Sequence, residues 1–264
     1  MNSETGEAGP SAIVLAAGKG TRMNADLPKV CLPVGGRPMV TAVVDACLEA
    51  GCTSIVTVVG YKHEAVREAL ADLGDRVSFA MQDEQLGTGH AVMCAADRYR
   101  DIGTNHNVFV LCGDGPLIRA ETLRVLLARH RETGAAAALA TSVLDEPSGY
   151  GRVVRDAGGR FADIVEQKNA WPEQLEIREV NPSYYCFRAD RLFDALTRVE
   201  RNDLSGEYYV TDVPKLLLDA GDRVEIIEAV PPEDVLSINT PEQLAEVDRV
   251  FRERNAAGAL GSES

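Results

Sequence analysis

The chain has 264 residues, of which 45% are hydrophobic and 26% charged, and its formal net charge is −14. This balance is typical of a soluble globular protein, and the acidic charge argues against a nucleic-acid backbone as the main partner. Residues 1–10 are polar, and no apolar run reaches the roughly 20 residues that a membrane-spanning helix needs, so we expect neither a signal peptide nor a membrane partner. The six cysteines form no C-x-x-C pair, which predicts reduced, buried thiols and a cytoplasmic protein.

In the first half of the chain, short apolar runs alternate with stretches of helical periodicity. Strands are predicted over residues 12–16, 54–60, 77–81 and 107–112. Helices are predicted over residues 39–50, 63–73, 90–96 and 120–133. Apolar strands separated by helices are typical of a mostly parallel sheet with helices on both faces, so we predict a Rossmann-like α/β fold.

The second half contains more strands with shorter connections. Strands are predicted over residues 136–143, 151–155, 160–166, 179–188 and 224–230, and helices over residues 209–219 and 241–254. This pattern indicates a smaller mixed or antiparallel lobe beside the parallel sheet. We therefore expect one domain over residues 11–254, in halves of about 11–135 and 136–254. Flexible segments are expected at residues 1–10 and 255–264.

A glycine-rich segment, L-A-A-G-K-G-T-R-M-N-A-D-L-P-K, follows the first predicted strand. Gly18 and Gly20 allow the backbone to approach a ligand closely, while Arg22 and Lys29 are suited to phosphate oxygens. The segment is not a Walker loop, and the third glycine of a dinucleotide fingerprint is replaced by Met23. A glycine turn alone is usually only a turn, but the two cations at this spacing favour a phosphate site.

A second candidate segment is Q-D-E-Q-L-G-T-G-H-A, which begins at Gln82. The amides of Gln82 and Gln85 offer a donor and an acceptor to the edge of a base. Gly87 and Thr88 lie in a turn before a predicted helix, where backbone amides favour anions. The alternative is an ordinary loop between a strand and a helix. For His90 we favour packing against the sheet over a role as a general base.

Two oxygen-bearing side chains follow predicted strands and are candidate Mg²⁺ ligands. Asp114, in V-L-C-G-D-G-P-L, lies just beyond an apolar strand, where α/β sheets bind their ligands. Asn239, in L-S-I-N-T-P-E-Q-L, follows another short strand. A carboxylate and an amide oxygen are suited to Mg²⁺ held together with substrate phosphates. The alternatives are a turn or capping role for Asp114, and a helix cap at Asn239 or Thr240.

These motifs occur in one order with G-Y-G-R, E-Q-K-N-A, E-V-N and E-Y-Y-V-T-D-V. Together they resemble the uridylyltransferase domain of bacterial N-acetylglucosamine-1-phosphate uridylyltransferases, within the sugar nucleotidyltransferase family. The resemblance covers about residues 11–250. It implies a fold of the nucleotide-diphospho-sugar transferase type, with a nucleotide-binding first half and a sugar-binding second half. It also implies Mg²⁺-assisted, in-line transfer of a uridylyl group from UTP to N-acetylglucosamine 1-phosphate, with release of pyrophosphate.

The resemblance also implies roles for individual residues. The residues expected to bind the nucleotide are Leu15, Ala16, Ala17, Gly18, Gly20, Gln82, Gly87 and Thr88. Arg22 and Lys29 are implied to contact the triphosphate and the sugar phosphate as catalytic residues, and Asp114 and Asn239 to coordinate Mg²⁺. Gly149, Glu166 and Asn181 are implied to bind the sugar and its acetamido group.

Three departures from the family pattern concern the sugar more than the phosphates. Cys112 stands where the family usually has an aromatic residue, and Gly115 where it has a valine. Asn181 is followed by P-S-Y-Y rather than T-G-I-Y, and the residues around Asn239 follow the broader family. Another sugar 1-phosphate or another nucleoside triphosphate is therefore the alternative substrate.

Two other classes of protein are less favoured. An NAD-dependent oxidoreductase is disfavoured because no complete fingerprint places an acidic ribose ligand about 20 residues after the glycine turn. A non-catalytic sensor is disfavoured because Lys29 and Asp114 are both present. The chain contains no hexapeptide repeat of the kind that forms the acetyltransferase of the bifunctional enzymes, so we expect no acetyltransferase activity.

Overall fold

The computed structural model of the protein describes residues 9–20, 26–236 and 238–261. The strands are β1 (Ser11–Ala16), β2 (Pro33–Val34), β3 (Arg37–Pro38), β4 (Ser54–Val59), β5 (Val77–Met81), β6 (Asn107–Cys112), β7 (Ala137–Val143), β8 (Gly151–Arg155), β9 (Phe161–Val165), β10 (Glu179–Arg188) and β11 (Val224–Glu228). The helices are α1 (Met39–Glu49), α2 (His63–Ala69), α3 (Thr88–Cys94), α4 (Ala120–Thr133), α5 (Pro172–Leu175), α6 (Ala189–Leu196), α7 (Val213–Asp219) and α8 (Pro241–Gly261).

Within the described residues, nine strands form one sheet. Seven of them lie in the order β11-β7-β10-β6-β1-β4-β5, and β8 joins β10 and carries β9 beside it. The pairs β1–β4, β1–β6, β4–β5 and β7–β11 are parallel, whereas β10 is antiparallel to β6, β7 and β8. The structure confirms the predicted α/β fold with a mostly parallel sheet and an antiparallel extension.

The register of the sheet brings distant segments to one edge. Leu15 of β1 is level with Cys112 of β6, and Val59 of β4 is level with Met81 of β5. The loops that follow β1, β5 and β6 therefore leave the sheet at the same edge, where α/β folds bind their ligands. Because β10 runs the other way and pairs Tyr184 with Leu111, its residues 181–183 reach that edge as well.

Hydrophobic clusters cover both faces of the sheet. Val14 and Leu111 point to the face covered by α1 and α4, whereas Ile13 and Val110 point to the face covered by α6 and α7. Successive strand residues alternate between faces, so every second residue of the continuous apolar runs enters the opposite cluster. A third cluster packs α8 against the β2–β3 hairpin and the loop after β6. The predicted placement of helices on both faces is confirmed.

Several helix boundaries differ from the sequence prediction. The helix predicted over residues 63–73 ends at Ala69 and continues as a 3₁₀ helix interrupted at Gly74, where φ is +54°. The helix predicted from residue 209 begins at Val213, after a 3₁₀ turn, with Pro214 in the first turn, where its missing N–H costs nothing.

Both ends of the chain also differ from the prediction in part. Helix α8 continues to Gly261, beyond the predicted end at residue 254, in a stretch rich in alanine, which has the highest helix propensity. At the other end, Pro10 is buried and its carbonyl accepts a hydrogen bond of 2.9 Å from the Thr53 amide. The rest of the predicted flexible segments, residues 1–8 and 262–264, lies outside the described residues.

Four of the six cysteines are buried as predicted, whereas Cys94 and Cys112 are only partly buried. All six cysteines are free thiols. Among the helices of the described ranges, none combines the length and the apolar character needed to cross a membrane.

Candidate active site

Two cavities open side by side at the edge of the sheet where the parallel strands end. Their volumes are about 480 Å³ and 280 Å³, and we call them the first and the second cavity. The residues that line both are Lys29, Cys112, Asp114, Ile238 and Asn239. The two cavities therefore meet along a wall that carries one cation, one carboxylate and one amide.

The first cavity gathers most of the residues predicted to bind a nucleotide. Its lining includes Leu15, Ala17, Gly18, Gly20, Gln82, Gly87 and Thr88. Ala16 is the exception, since it is 1% exposed and its side chain packs in the hydrophobic core. The alternation of β1 explains this, because Leu15 and Ala17 point to the opposite side. Arg22, predicted to be catalytic, lies outside the described residues.

Gly20 lines the first cavity and also packs against Lys29. Its φ is +61°, and a Cβ placed on it would lie 2.5 Å from the Cβ of Lys29. Both the backbone conformation and the close approach therefore require glycine. The role of Gly20 beside a ligand stays a prediction, to which the structure adds the contact with Lys29. The glycine loop thus supports the segment that presents this cation.

Gln82 is held in a fixed orientation at the floor of the first cavity. It is 4% exposed, and its Nε2 donates 3.1 Å hydrogen bonds to the Gly87 carbonyl and to His90 Nδ1. His90 therefore does more than pack against the sheet, because it fixes the amide predicted to read the base. Gln85 donates from Nε2 to the carbonyl of Ala17 over 3.0 Å and so ties this segment to the glycine loop.

The E-Y-Y-V segment packs onto the turn that precedes α3. Gly87 has φ +100°, and a Cβ there would lie 2.5 Å from the Tyr208 carbonyl oxygen. The amide of Gly89 donates to that same carbonyl over 2.8 Å, and the amide of Val210 donates to the Thr88 hydroxyl over 3.1 Å. Sequence reasoning assigned no role to Glu207, which lines the first cavity. The only signal for it was its place in a shared motif.

Lys29 and Asp114 form an ion pair on the shared wall. The ammonium nitrogen lies 2.6 Å from Oδ2 of Asp114, and the side chains are 16% and 37% exposed. Asp114 lies two residues beyond the end of β6, as predicted. The pair places a positive charge and a carboxylate where the two cavities join.

Asn239 lies on the same wall, just before α8. The capping role suggested as the alternative falls to Thr240, whose hydroxyl accepts from the Gln243 amide over 3.3 Å while Gln243 Oε1 accepts from the Thr240 amide over 3.2 Å. This reciprocal pair is a capping box. The backbone amide of Asn239 also donates to Gln243 Oε1, over 2.7 Å. The cap fixes the start of α8 and with it the position of Asn239.

The second cavity brings together the three residues predicted to bind a sugar. Gly149, Glu166 and Asn181 all line it. Glu166 accepts a 3.0 Å hydrogen bond from the Thr211 hydroxyl, and burial raises its pKa. The Gly149 amide donates to Gln167 Oε1, so the loop of Gly149 and the turn after Glu166 are joined directly.

Asn181 is more constrained than the sequence suggested. It is 4% exposed, its Nδ2 lies 2.6 Å from the Tyr185 hydroxyl, and its Oδ1 accepts from the Ser183 amide over 3.2 Å. Ser183 adopts φ +64°, a left-handed conformation that is uncommon for residues other than glycine. A bulge in β10 between Val180 and Tyr184 accommodates this turn.

A buried carboxylate that sequence reasoning missed holds the far wall of the second cavity. The side chain of Asp234 is 1% exposed and is paired with both Arg119 and Arg254. Arg254 Nη1 donates over 2.9 Å to Asp234 Oδ1 and over 2.9 Å to the Leu117 carbonyl. It thereby links the loop that follows Asp114 to the loop that precedes Asn239. No short motif contains these residues, because they lie up to 137 positions apart.

Comparison with known proteins assigns the chain to a family. A family model described as a MobA-like NTP transferase domain matches residues 12–205. The bifunctional protein GlmU of Geobacter metallireducens is 46% identical over 244 residues, which is 92% of this chain and 51% of that protein. GlmU of a Geobacillus species is 45% identical over 243 residues, 92% of this chain and 52% of that protein. The chain thus spans about half the length of the curated relatives it matches.

A solved structure shows the same fold at lower sequence identity. UDP-glucose pyrophosphorylase complexed with UDP-glucose aligns with a TM-score of 0.72 and 18% identity, over 93% of this chain and 99% of that one. The resemblance stated from the motifs is confirmed at the level of the family, and the protein is an enzyme of the nucleotidyltransferase class. The chain belongs to the family of MobA-like NTP transferase domains.

Proposed function

We propose that this protein transfers a uridylyl group from UTP to N-acetylglucosamine 1-phosphate, giving UDP-N-acetylglucosamine and pyrophosphate. The observation that carries the proposal is the junction of the two cavities at Lys29, Asp114 and Asn239. A nucleotide in the first cavity and a sugar 1-phosphate in the second would bring their phosphates to this wall. The GlmU relatives that match most of the chain support uridylyl transfer.

The first cavity is suited to a nucleoside triphosphate. Gln82, fixed by His90 and Gly87, offers its amide to the edge of a base. Among the described residues, no atom lies within 4 Å of the position that a Cβ on Gly18 would take, which suits a backbone that approaches phosphate oxygens. The volume of about 480 Å³ lies within the range of small-molecule sites.

The residues on the shared wall fit a magnesium ion. Asp114 and Asn239 contribute oxygen atoms from two loops, and Mg²⁺ is commonly held by one or two protein oxygens together with substrate phosphates. Among the described residues, no cluster of three or more His, Cys, Asp or Glu side chains could hold a metal, which argues against an all-protein zinc-type cage. When bound there, Mg²⁺ would neutralise charge on the reacting phosphates.

The chain's own residues act by positioning and charge compensation. A phosphate oxygen of the sugar 1-phosphate attacks the α-phosphorus of UTP, a P–O bond forms, and the bond to the β-phosphate breaks as pyrophosphate leaves. The attacking oxygen is already anionic, so no side chain has to remove a proton. Lys29, released from Asp114, offsets the charge that develops on the phosphates. Gly149, Glu166 and Asn181 orient the sugar so that its phosphate faces the first cavity.

A second candidate is the same chemistry on another sugar 1-phosphate. It is favoured by one observation, because the residues that depart from the family pattern, Cys112, Gly115 and the segment 182–184, all line the second cavity. Of these, Cys112 also lines the first cavity, as does Asn239, whose surroundings depart from the pattern too, whereas Gly115 and the segment 182–184 line only the second cavity. The departures therefore bear on the sugar more than on the nucleotide.

The proposal is tested by measuring pyrophosphate release from UTP and Mg²⁺ with N-acetylglucosamine 1-phosphate, beside other sugar 1-phosphates and other nucleoside triphosphates. Highest kcat/KM on UTP with N-acetylglucosamine 1-phosphate supports the assignment. Turnover on a different pair retains the nucleotidyl transfer and refutes the substrate. Absence of turnover across the whole panel refutes the proposal and favours a non-catalytic sensor.

A further inference from the structure

Gly115 and Tyr184 both line the second cavity, close enough that a side chain at position 115 would meet the tyrosine. A Cβ placed on Gly115 would lie 3.4 Å from the Tyr184 hydroxyl oxygen and 3.8 Å from its Cε1. Both residues line the cavity, and Tyr184 is 3% exposed. They come from different parts of the sheet, Gly115 from the loop after β6 and Tyr184 from β10, which pairs with β6.

The backbone does not require glycine at position 115. Gly115 is absent from the residues with positive φ, so a side chain there would not strain the main chain. The methyl group of an alanine would lie 3.4 Å from the tyrosine hydroxyl oxygen, at the lower limit of ordinary van der Waals contact. A valine carries two further methyl groups, one bond beyond Cβ, and crowds the ring and its hydroxyl. The missing side chain at position 115 is therefore matched to the large one at position 184.

Tyr184 is in turn connected to two other walls of the cavity. Its hydroxyl donates over 3.4 Å to the carbonyl of Asp234, in the loop that leads to Asn239. Its neighbour Ser183 has the left-handed conformation and donates to Asn181 Oδ1. A change in side-chain size at position 184 thus alters both the shape of the cavity and the surroundings of Asn181.

We propose that Gly115 and Tyr184 form a size-matched pair that sets the shape of the sugar pocket and so determines which sugar 1-phosphate is accepted. The two departures from the family pattern, glycine for valine and tyrosine for isoleucine, then compensate each other in volume. This inference rests on the proposed function, since it takes the second cavity as the site of the sugar. It adds a specificity-determining pair to that function.

The test is a double-mutant cycle on the purified protein. The variants are Gly115→Val, Tyr184→Ile and the double variant, with Gly103→Val as the matched control. Gly103 has an ordinary φ, and no atom of the described residues lies within 4 Å of its Cβ position. For each protein, kcat and KM are measured with UTP and with at least two sugar 1-phosphates that differ at one substituent.

We expect each single variant to lower kcat/KM for the preferred sugar by at least about tenfold, with the KM for UTP changed less than about twofold. The double variant should recover most of that loss or change the ranking of the sugars, because the volumes are balanced again. The proposal is overturned if the losses in kcat/KM of the two single variants multiply in the double variant. It is also overturned if the kinetics with UTP are impaired as much as those with the sugar 1-phosphate. A wild-type protein without turnover on any pair refutes the proposed function itself and the pair with it.

A milder cycle keeps the test decisive if a valine or isoleucine variant does not fold. Gly115→Ala adds one methyl group at the contact, and Tyr184→Phe removes the hydroxyl that it would meet. We expect Gly115→Ala to impair the wild type at least about threefold more than it impairs the Tyr184→Phe background. Equal effects in both backgrounds contradict the proposal.

Discussion

The ammonium of Lys29 lies 2.6 Å from the carboxylate of Asp114, at the wall shared by the two cavities. The two groups neutralise each other's charge, and the proposed reaction needs each of them to bind a different partner. Phosphate oxygens compete for Lys29, and a divalent cation competes for Asp114. Substrate and metal binding should therefore be mutually favourable. Phosphate binding to Lys29 frees Asp114 for the cation, and cation binding to Asp114 frees Lys29 for the phosphates.

Replacing Asp114 tests its role at this wall. We expect Asp114→Asn to lower kcat by about 10²–10³ and to raise the Mg²⁺ concentration needed for half-maximal activity, because it removes the one carboxylate that the described residues contribute to the shared wall. Pyrophosphate release is measured as a function of Mg²⁺. Asp97→Asn, at an exposed carboxylate, is the control and should behave as wild type. Near-wild-type turnover of Asp114→Asn at ordinary Mg²⁺ would show that Asp114 is not a ligand.

Because Gly20 packs against Lys29, a side chain at position 20 should lower kcat through the new contact with Lys29 and not only through backbone strain. Gly20→Ala introduces a Cβ 2.5 Å from Lys29 Cβ at φ +61°, whereas Gly221→Ala has φ +83° and open space around it. Both variants bear about 1–2 kcal/mol of backbone strain. We expect only Gly20→Ala to lower kcat, by at least about tenfold, because it displaces Lys29. If the two variants have the same kcat, Gly20 does not position Lys29.

The ion pairs of Asp234 with Arg119 and Arg254 should stabilise the folded protein. Asp234→Ala leaves Arg119 and Arg254 without their shared buried carboxylate. We expect the free energy of unfolding, measured by urea denaturation, to fall by about 2–4 kcal/mol, because both arginines still reach solvent and regain part of their hydration. Glu233→Ala, next to it but 58% exposed, should cost less than about 1 kcal/mol. Equal losses would mean that the burial of Asp234 has no energetic weight.

The buried carboxyl group of Asp212 should make the stability of the protein depend on pH. Burial, with the charges of Asp163 and Glu166 adding to it, raises the pKa of Asp212 from 3.8 to about 6. A carboxyl with a raised pKa holds its proton more firmly in the folded chain, so its contribution to stability is lost as the pH rises from about 4 to about 6.

The variant Asp212→Asn removes this titration. We expect the free energy of unfolding to increase by about 1–2 kcal/mol near pH 7.5, after allowance for solvent screening at a half-buried carboxylate, and to change little near pH 4. Urea denaturation at both pH values measures the difference. Asp194→Asn, at a 62% exposed carboxylate, should show no such contrast. A variant that is less stable than wild type near pH 7.5 would contradict the account.

The parallel half of the fold could be predicted from the sequence because each buried strand is a continuous apolar run. Strand β6, at Asn107–Cys112, and helix α4, at Ala120–Thr133, have the predicted boundaries. Helix ends were harder, as in the 3₁₀ turn before Val213, because local propensity does not distinguish a 3₁₀ turn from an α-helical one. The position of β10 between β6 and β7 depends on pairings that no local pattern contains.

Those residues of the candidate site that lie in short motifs could be predicted from the sequence, whereas those joined only by the tertiary structure could not. The register of the parallel strands brings Gln82 and Asp114 to one edge, and short motifs mark both. By contrast, the link from Arg254 to Asp234 and Leu117 joins segments that are far apart in the chain. The contact of Gly115 with Tyr184 is also a product of strand pairing, although both residues stood out individually.

The most direct test of the two-cavity account is a crystal structure of the protein with UDP-N-acetylglucosamine and Mg²⁺. The account predicts the uracil against Gln82, the diphosphate between Lys29 and the wall formed by Asp114 and Asn239, and the sugar beside Glu166 and Asn181. A sugar bound outside the second cavity, or a diphosphate remote from Lys29, would contradict it.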